Sequence, residues 1–226
     1  MWMIENDVWR DTDFPFCNIV SSRASGNLRD PALRASFCQT QNIDGNAVVS
    51  AEQVHGTRVA VVEWAHRGTT IAGVDGLVTR ENGLFLSIFT ADCLPVFLAD
   101  PRSRAVALVH AGWRGLAGGI IHETVAVLAK EFGTLPENIH AAIGPHIQKC
   151  CFRVGDDVKT ALRLPFGTDD HADLGVIARE QLQAAGVQQV SANGRCTCHE
   201  EQLFFSYRRN AAADRLMSLA GNGPNL

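Results

Sequence analysis

The sequence predicts a single α+β domain with mixed sheets, and three observations support this. The chain has 226 residues, which suits one large domain or two small ones. Apolar residues make up 46% and charged residues 19%, which excludes a largely disordered protein because a sizeable core can form. Short runs rich in Val, Ile and Phe cluster in the middle of the chain, and helical patterns come mostly later. We therefore expect one domain over residues 1–226.

The strands are predicted from short apolar runs bounded by Gly, Asp, Asn or Pro. These runs are 47–50, 58–63, 76–79, 84–89, 95–99, 105–109, 139–143 and 215–219. Helix-like spacing of apolar residues predicts helices at 27–41, 114–132, 156–164 and 173–185. Gly133 is expected to end the second helix, with Asp173 as N-cap and Gly186 as C-cap of the last. Residues 67–73 and 164–170 are predicted to be loops.

The charge and cysteine content exclude several classes of protein. The formal net charge is −4, so the chain offers no positive field for nucleic acid or an anionic membrane. No run approaches the ~18–20 consecutive apolar residues of a membrane helix, and residues 1–16 lack the pattern of a signal peptide. Seven cysteines, an odd number, favour a reducing compartment. We therefore expect a cytoplasmic protein.

Three short segments place a His or a Cys at the edge of a predicted strand. They are EQVHG (52–56), TADCLP (90–95) and VHAGWRG (109–115). Strand ends are where a rigid sheet presents side chains to a loop-built site. His55, Cys93 and His110 would form a two-histidine, one-cysteine set, which zinc accepts well and which leaves a fourth position for water or substrate.

The same residues allow two other interpretations. Cys93 is also a candidate thiolate nucleophile, with His110 as its base and Asp92 or another carboxylate orienting the imidazole. Alternatively, Cys93 is a small buried side chain, and the two histidines are satisfied by hydrogen bonds. Because the three residues lie far apart in the chain, spacing does not choose among these possibilities.

Further polar residues are candidates for binding an anion or a substrate. Arg114 lies where a strand gives way to the strongest predicted helix, and a helix N-terminus with a guanidinium suits a phosphate. Arg23 is a second candidate, although surface salt bridges are the commoner fate of arginines. Gln53 and Asp75 are assigned to substrate binding, and Asp92 or Asp75 to carrying a proton or orienting a ligand histidine.

Two other groups of residues have less specific patterns. The segment CTCH (196–199) with Cys150 and Cys151 resembles part of a zinc site, but its Cys-x-Cys spacing is unusual and adjacent cysteines rarely bind one ion. The segment FFSYRR (204–209) contains the one tyrosine of the chain. It is expected to be an amphipathic surface segment, with a lid that brings Tyr207 near the ligand as the alternative.

Six motifs occur together in this order in one known family. They are QVHGTR (53–58), DGLVT (75–79), TADCLP (90–95), HAGWRG (110–115), IGP (143–145) and FFSYRR (204–209). Over most of its length the chain therefore resembles the laccase-domain, or multicopper polyphenol oxidase, family, whose members are also described as purine nucleoside phosphorylases. The resemblance implies an α/β-β/α layered sandwich.

The resemblance also implies a site and a set of activities. It implies a zinc ion held by His55, Cys93 and His110. It implies phosphorolysis of adenosine, inosine, guanosine and methylthioadenosine, with purine nucleosides and phosphate as small-molecule partners, and deamination of adenosine. The alternatives are a metal-free Cys–His amidohydrolase related to cysteine deamidases, and a copper-dependent polyphenol oxidase. For copper oxidation the three ligands are too few, because a multicopper centre needs many more histidines.

Overall fold

The computed structural model describes residues 1–165 and 170–222 of the chain. The strands in these residues are β1 (Trp2–Glu5), β2 (Val8–Asp11), β3 (Cys17–Ser21), β4 (Val48–Ala51), β5 (Val59–Val61), β6 (Thr70–Ile71), β7 (Gly76–Thr79), β8 (Phe85–Thr90), β9 (Leu94–Asp100), β10 (Ala105–Ala111), β11 (His140–Ile143), β12 (Gln189–Ala192) and β13 (Leu216–Gly221). The α-helices are α1 (Pro31–Thr40), α2 (Trp113–Gly118), α3 (Ile120–Phe132), α4 (Asp156–Ala161), α5 (Leu174–Ala184) and α6 (Tyr207–Asn210).

The strands form two mixed sheets. Sheet A has the order β1-β2-β3-β13-β8-β4-β6, and sheet B has the order β12-β11-β9-β10-β7-β5. In sheet A, β4 runs parallel to both β8 and β6. In sheet B, β11 is parallel to β12 and β5 is parallel to β7, while the central pairs are antiparallel. The two sheets and few helices confirm the α+β prediction.

Three apolar clusters arrange the elements as a layered sandwich. The middle cluster joins the facing sides of the two sheets and contains Leu86 and Ile88 of β8 with Phe97 of β9. A second cluster joins the other side of sheet B to α2, α3 and α5, and a third joins the outer side of sheet A to α1. The order helix, sheet, sheet, helix is the one that the family resemblance implies.

Alternation along β10 shows why the central strands of sheet B are apolar throughout. Val106 and Leu108 point into the cluster between the sheets, whereas Ala107 and Val109 point toward the helices. Because both faces of this strand are covered, every position is buried and a continuous apolar run results. The same coverage places the C-terminal end of β10, with His110, deep inside the molecule.

Several element boundaries differ from the prediction. The helix predicted at 114–132 is two helices, because Gly119 between them has a left-handed φ of +87°. The helix predicted from residue 27 begins at Pro31, where the side chain of Asp30 caps the first turn. Gly133 does end α3, and Asp173 caps α5. The predicted loop at 67–73 contains the short strand β6, and residues 166–169 of the other predicted loop lie outside the described residues.

The N-terminal strands β1, β2 and β3 were not predicted from the sequence. Among the described residues, no helix has the length and apolar content needed to cross a bilayer.

Candidate metal and catalytic site

His55, Cys93 and His110 converge where the two sheets meet. His55 lies in the loop after β4, Cys93 in the turn between β8 and β9, and His110 near the end of β10. One ligand atom from each lies within 4.8 Å of the others. The two imidazole rings are nearly perpendicular, with centroids 4.8 Å apart. His110 is buried, Cys93 half-buried and His55 exposed, so the group opens toward solvent on the His55 side.

Asp75 holds two members of this group in place. Its Oδ1 accepts hydrogen bonds from Nδ1 of His110 at 2.8 Å and from the backbone N–H of His55 at 2.9 Å. Its Oδ2 accepts the backbone N–H groups of Val54 at 3.1 Å and Gly56 at 2.8 Å. Because Nδ1 of His110 donates to Asp75, Nε2 of that ring is left to face Cys93.

The buried carboxylate and the two histidines set the charge of the site. Burial by itself raises the pKa of the Cys93 thiol, but hydrogen bonds with His110 and His55 outweigh it and lower the pKa to about 6. Burial lowers the pKa of His110, but hydrogen bonds with Asp75 and Cys93 raise it to about 9. In the absence of a metal ion, Cys93 is therefore a thiolate beside a protonated His110 at neutral pH.

The backbone around the site adopts conformations that side-chain-bearing residues rarely take. Gln53, His55 and Asp92 have φ of +66°, +61° and +94°. Left-handed backbone at residues other than glycine costs free energy and concentrates at functional sites. Gly112 is also required, since a Cβ there would lie 3.0 Å from the Cys93 sulfur and 3.4 Å from the His55 ring.

The His55 loop packs closely on the start of α2. A Cβ on Gly115 would lie 3.1 Å from the backbone oxygen of Gly56, and one on Gly118 would lie 2.6 Å from Cγ2 of Thr57. The glycines of the 110–115 motif and of α2 therefore allow the loop to bring His55 up to His110.

A cavity of about 470 Å³ opens over the three residues. Its rim carries four arginines, each of which stacks over an aromatic ring that also lines the cavity. The pairs are Arg29 with Phe89, Arg114 with Trp113, Arg208 with Phe152 and Arg215 with Tyr207, at 4.2 to 5.9 Å from ring centroid to guanidinium carbon.

This rim makes the cavity positive although the chain as a whole is acidic. Burial and, to a smaller extent, the nearby positive charge of Arg215 lower the pKa of Arg29, so the two guanidinium groups lie close enough to repel each other. Such a cluster is suited to an anion that accepts several hydrogen bonds, such as phosphate.

The structure brings some of the predicted substrate residues to the cavity and not others. Arg114 and Gln53 line it, although the side-chain amide of Gln53 already pairs with the backbone of Phe89. Both oxygens of the fully buried Asp75 accept hydrogen bonds, so its geometry suits positioning His110 rather than contacting a substrate. Arg23 instead donates to Glu201 and lies over the ring of Phe205.

Asp92 lines the cavity but is tied to two other segments. Its Oδ1 accepts the hydroxyl of Thr197 and its Oδ2 the backbone N–H of Arg208, both at 2.7 Å. Its geometry therefore links the Cys93 turn to residues 197–208. Tyr207 lines the cavity and is more than half exposed, as in the lid alternative for the FFSYRR segment.

Three cavity arginines, Arg29, Arg208 and Arg215, were not found by sequence reasoning. Arg29 and Arg215 lie in stretches with no local motif, and Arg208 was assigned to a solvent-facing surface. The family motif that contains Arg208 was the one signal available for it.

The donor set fits a zinc ion. A thiolate and two imidazoles are preferred ligands of zinc, and three protein ligands are typical of catalytic zinc sites. The bond from His110 to Asp75 is the carboxylate–histidine arrangement that orients metal-binding histidines. The absence of a side chain at Gly112 avoids crowding of the Cys93 sulfur, which a Cβ there would approach to 3.0 Å.

Comparisons with known proteins agree with this assembly. A family model described as multi-copper polyphenol oxidoreductase laccase matches residues 31–221. Purine nucleoside phosphorylase YlmD of Geobacillus stearothermophilus is 38% identical over 195 residues, covering 76% of this chain and 71% of the relative. Adenosine deaminase RL5 from an unknown prokaryotic organism is 35% identical over 214 residues, covering 85% and 80%. The crystal structure of YlmD from Geobacillus stearothermophilus matches with a TM-score of 0.92 and 30% identity, covering 100% of this chain and 99% of that one.

Proposed function

The chain belongs to the multi-copper polyphenol oxidoreductase laccase family, and we propose that it is a zinc-dependent enzyme acting on purine nucleosides. The reactions proposed are phosphorolysis of adenosine, inosine, guanosine and methylthioadenosine, and deamination of adenosine. The observation that supports this proposal is that His55, Cys93 and His110 line a cavity whose walls also carry arginines and aromatic rings. Relatives named purine nucleoside phosphorylase and adenosine deaminase support the substrate class.

The metal would be held by Cys93, His55 and His110. Zinc bound there would supply Lewis-acid activation of water, as hydrolysis at C6 of adenosine requires. His110 must lose a proton when it becomes a ligand, and Asp75 keeps its Nδ1 as the donor and its Nε2 toward the site.

The arginines and aromatic rings would bind the substrates. Arg29, Arg114 and Arg215 can donate several hydrogen bonds to phosphate, whose oxygen attacks the anomeric carbon as the bond to the purine breaks. Phe89 and Trp113 offer flat apolar surfaces for a purine ring. Tyr207 and Arg208 lie on the wall formed by α6, where they would close over the ligand.

The geometry of Cys93 favours one second candidate, a metal-free amidohydrolase. A thiolate paired with a protonated His110 is the arrangement used by cysteine nucleophiles. Cys93 would attack an amide carbon and His110 would protonate the departing amine, after which water would hydrolyse the thioester. Copper-dependent phenol oxidation is not proposed, because among the described residues two imidazoles and one thiolate meet at the site.

The test is turnover and metal content measured on the same preparations. We expect the zinc-loaded chain to release purine bases in a phosphate-dependent reaction and to convert adenosine to inosine, both followed by chromatography. Cys93→Ala should lose zinc and both activities, whereas Cys38→Ala, which removes a buried thiol of the α1 layer, should keep them.

Two results would count against the zinc enzyme. Full adenosine turnover by metal-free Cys93→Ala protein would remove Cys93 and the metal from the reaction. Undiminished amide hydrolysis by chelated wild-type protein, abolished when iodoacetamide labels Cys93, would instead favour the amidohydrolase.

A further inference from the structure

A second group of metal-binding side chains lies apart from the residues that line the cavity. The sulfurs of Cys150 and Cys151 and a ring nitrogen of His199 lie within 4.8 Å of one another. The Cys196 side chain lies near Cys150 and Cys151 and interacts with both, outside the group of three whose ligand atoms all lie within 4.8 Å of one another. Two sulfurs and one imidazole therefore converge from two segments that are far apart in the chain, with a third sulfur nearby.

Backbone contacts bring these two segments together. The backbone N–H of His146 donates to the oxygen of Arg195, and that of Thr197 donates to the oxygen of His146 at 3.1 Å. This isolated β-bridge pairs His146 with Cys196, so the turn that contains Cys196 lies beside the segment that leads from His146 to Cys150. Cys-x-Cys spacing and adjacent cysteines are unusual for a zinc site within one segment. Here one segment supplies Cys150 and Cys151, and the other supplies Cys196 and His199.

Two of the separations are close to those around a tetrahedral ion. The sulfurs of Cys150 and Cys151 are 3.7 Å apart, and the Cys150 sulfur is 3.9 Å from Nδ1 of His199. A Zn–S bond of about 2.3 Å and a Zn–N bond of about 2.0 Å place tetrahedral ligand atoms about 3.8 and 3.5 Å apart. A disulfide would need its sulfurs at about 2.05 Å.

The turn that contains Cys196 is arranged for a thiolate. The backbone N–H of Gln148 donates to the Cys196 sulfur at 3.5 Å, and the N–H groups of Cys198 and His199 also face it. Backbone N–H groups directed at a sulfur stabilise its negative charge, which is the form that binds a metal.

We propose that Cys150, Cys151 and His199 form a second zinc site, independent of the proposed catalytic one, and that the nearby Cys196 side chain moves in to supply the fourth ligand when the ion binds. Three thiolates and one imidazole close the coordination of the ion, which is typical of a structural site. Cys150 and His199 are exposed, so the ion can enter and leave from solvent.

The site would stabilise one wall of the cavity. Thr197, beside Cys196, donates to Asp92, and the guanidinium of Arg209 donates to the backbone oxygens of Thr197 and Cys198 at 3.0 Å. Arg209 belongs to α6, which carries Tyr207 and the cavity arginine Arg208. A metal ion joining residues 150–151 to 196–199 would thereby restrain the segment that leads to α6.

The experiment uses the full chain with Cys93→Ala as background, so that the first site is removed. We expect about two zinc ions per wild-type chain and one per Cys93→Ala chain, counted by elemental analysis after desalting. Cobalt added to the Cys93→Ala chain should give a sulfur-to-cobalt charge-transfer band and the visible bands of tetrahedral coordination.

Further substitutions in this background locate the ligands. Adding Cys150→Ser or His199→Gln should weaken zinc binding at least tenfold in a chelator competition, whereas Cys198→Ser, in the same turn, should leave it unchanged. Both ligand positions are exposed, so these variants should fold, and circular dichroism checks that they do.

Three outcomes would overturn the proposal. The first is a Cys93→Ala chain, purified under reducing conditions, that binds no zinc. The second is alkylation of Cys150, Cys151 and Cys196 that zinc does not slow. The third is loss of the ion on Cys198→Ser but not on Cys150→Ser.

Discussion

Replacing Asp75 with Asn tests how the candidate site is held together. The side chains have nearly the same shape, so the change removes a charge and half of the acceptors while leaving the packing intact. At present two carboxylate oxygens accept four hydrogen bonds, one from His110 and three from the backbone of residues 54–56. An amide keeps one acceptor oxygen and turns an NH2 group toward the other donors.

The magnitude follows from the bonds that are lost. With the NH2 group toward residues 54 and 56, two backbone donors face another donor; with it toward His110, the His55 N–H faces a donor and Nδ1 of His110 must become an acceptor, which gives up its hydrogen bond to a carboxylate. Each hydrogen bond to a buried charged group contributes about 1.5–3 kcal/mol, so Asp75→Asn should lower the free energy of unfolding by at least about 3 kcal/mol. This is a large part of the roughly 5–15 kcal/mol of an ordinary domain. Zinc affinity should fall about 10- to 100-fold because His110 loses its orienting partner.

Urea unfolding of the metal-free chain and a chelator competition for zinc measure the two effects separately. Asp44→Asn is the matched control, since the exposed Asp44 accepts one backbone N–H that Asn accepts equally well. An Asp75→Asn chain with the unfolding midpoint and zinc affinity of the control would refute the positioning role of Asp75.

Three further predictions follow from other residues. Arg29→Gln should raise the KM for phosphate about tenfold or more, with a smaller effect on the KM for nucleoside. Arg102 is exposed and does not line the cavity, so Arg102→Gln should change neither KM, and equal kinetics of the two variants would contradict the anion site. Gly221→Ala should lower the free energy of unfolding by about 1–3 kcal/mol, because a Cβ there would lie 2.5 Å from the Phe85 ring. In a double-mutant cycle Phe85→Leu should reduce this loss, and additive effects of the two substitutions would argue against the clash. Burial lowers the pKa of His146, so below about pH 6.5 the unfolded chain binds a proton that the native chain does not, and the free energy of unfolding decreases as the pH falls. In thermal unfolding, His146→Gln should therefore lose less stability than the wild type between pH 7 and pH 5, and an equal loss would contradict this.

The local patterns of the sequence predicted most of the central elements. β7 was predicted to the residue, and β8, β9 and β10 within one or two residues, because both of their faces are buried and apolar residues predominate along them. The N-terminal hairpin was missed because β1 is a short, exposed edge strand whose residues show no alternation of apolar and polar types. Its two-residue turn, Asn6 and Asp7, has left-handed φ at both positions and is a hairpin signal that went unused.

The candidate site shows where local patterns stop being informative. His55, Cys93 and His110 were found because each lies in a short motif at a strand end. Asp75 was found, but its contacts depend on how the loop after β4 folds over β7, which no spacing encodes. Arg29 and Arg215 reach the cavity from opposite ends of the chain, so their meeting depends wholly on tertiary structure.

The three metal-binding side chains come from both sheets, and this determines when during folding the chain can bind zinc. His55 follows a strand of sheet A, His110 ends a strand of sheet B, and Cys93 sits in the connection between them. Neither half of the sandwich carries a complete chelate, so tight uptake of the ion waits for the two halves to dock. In a refolding reaction, capture of zinc from an indicator dye should therefore lag behind the gain of secondary structure and coincide with the last step of assembly.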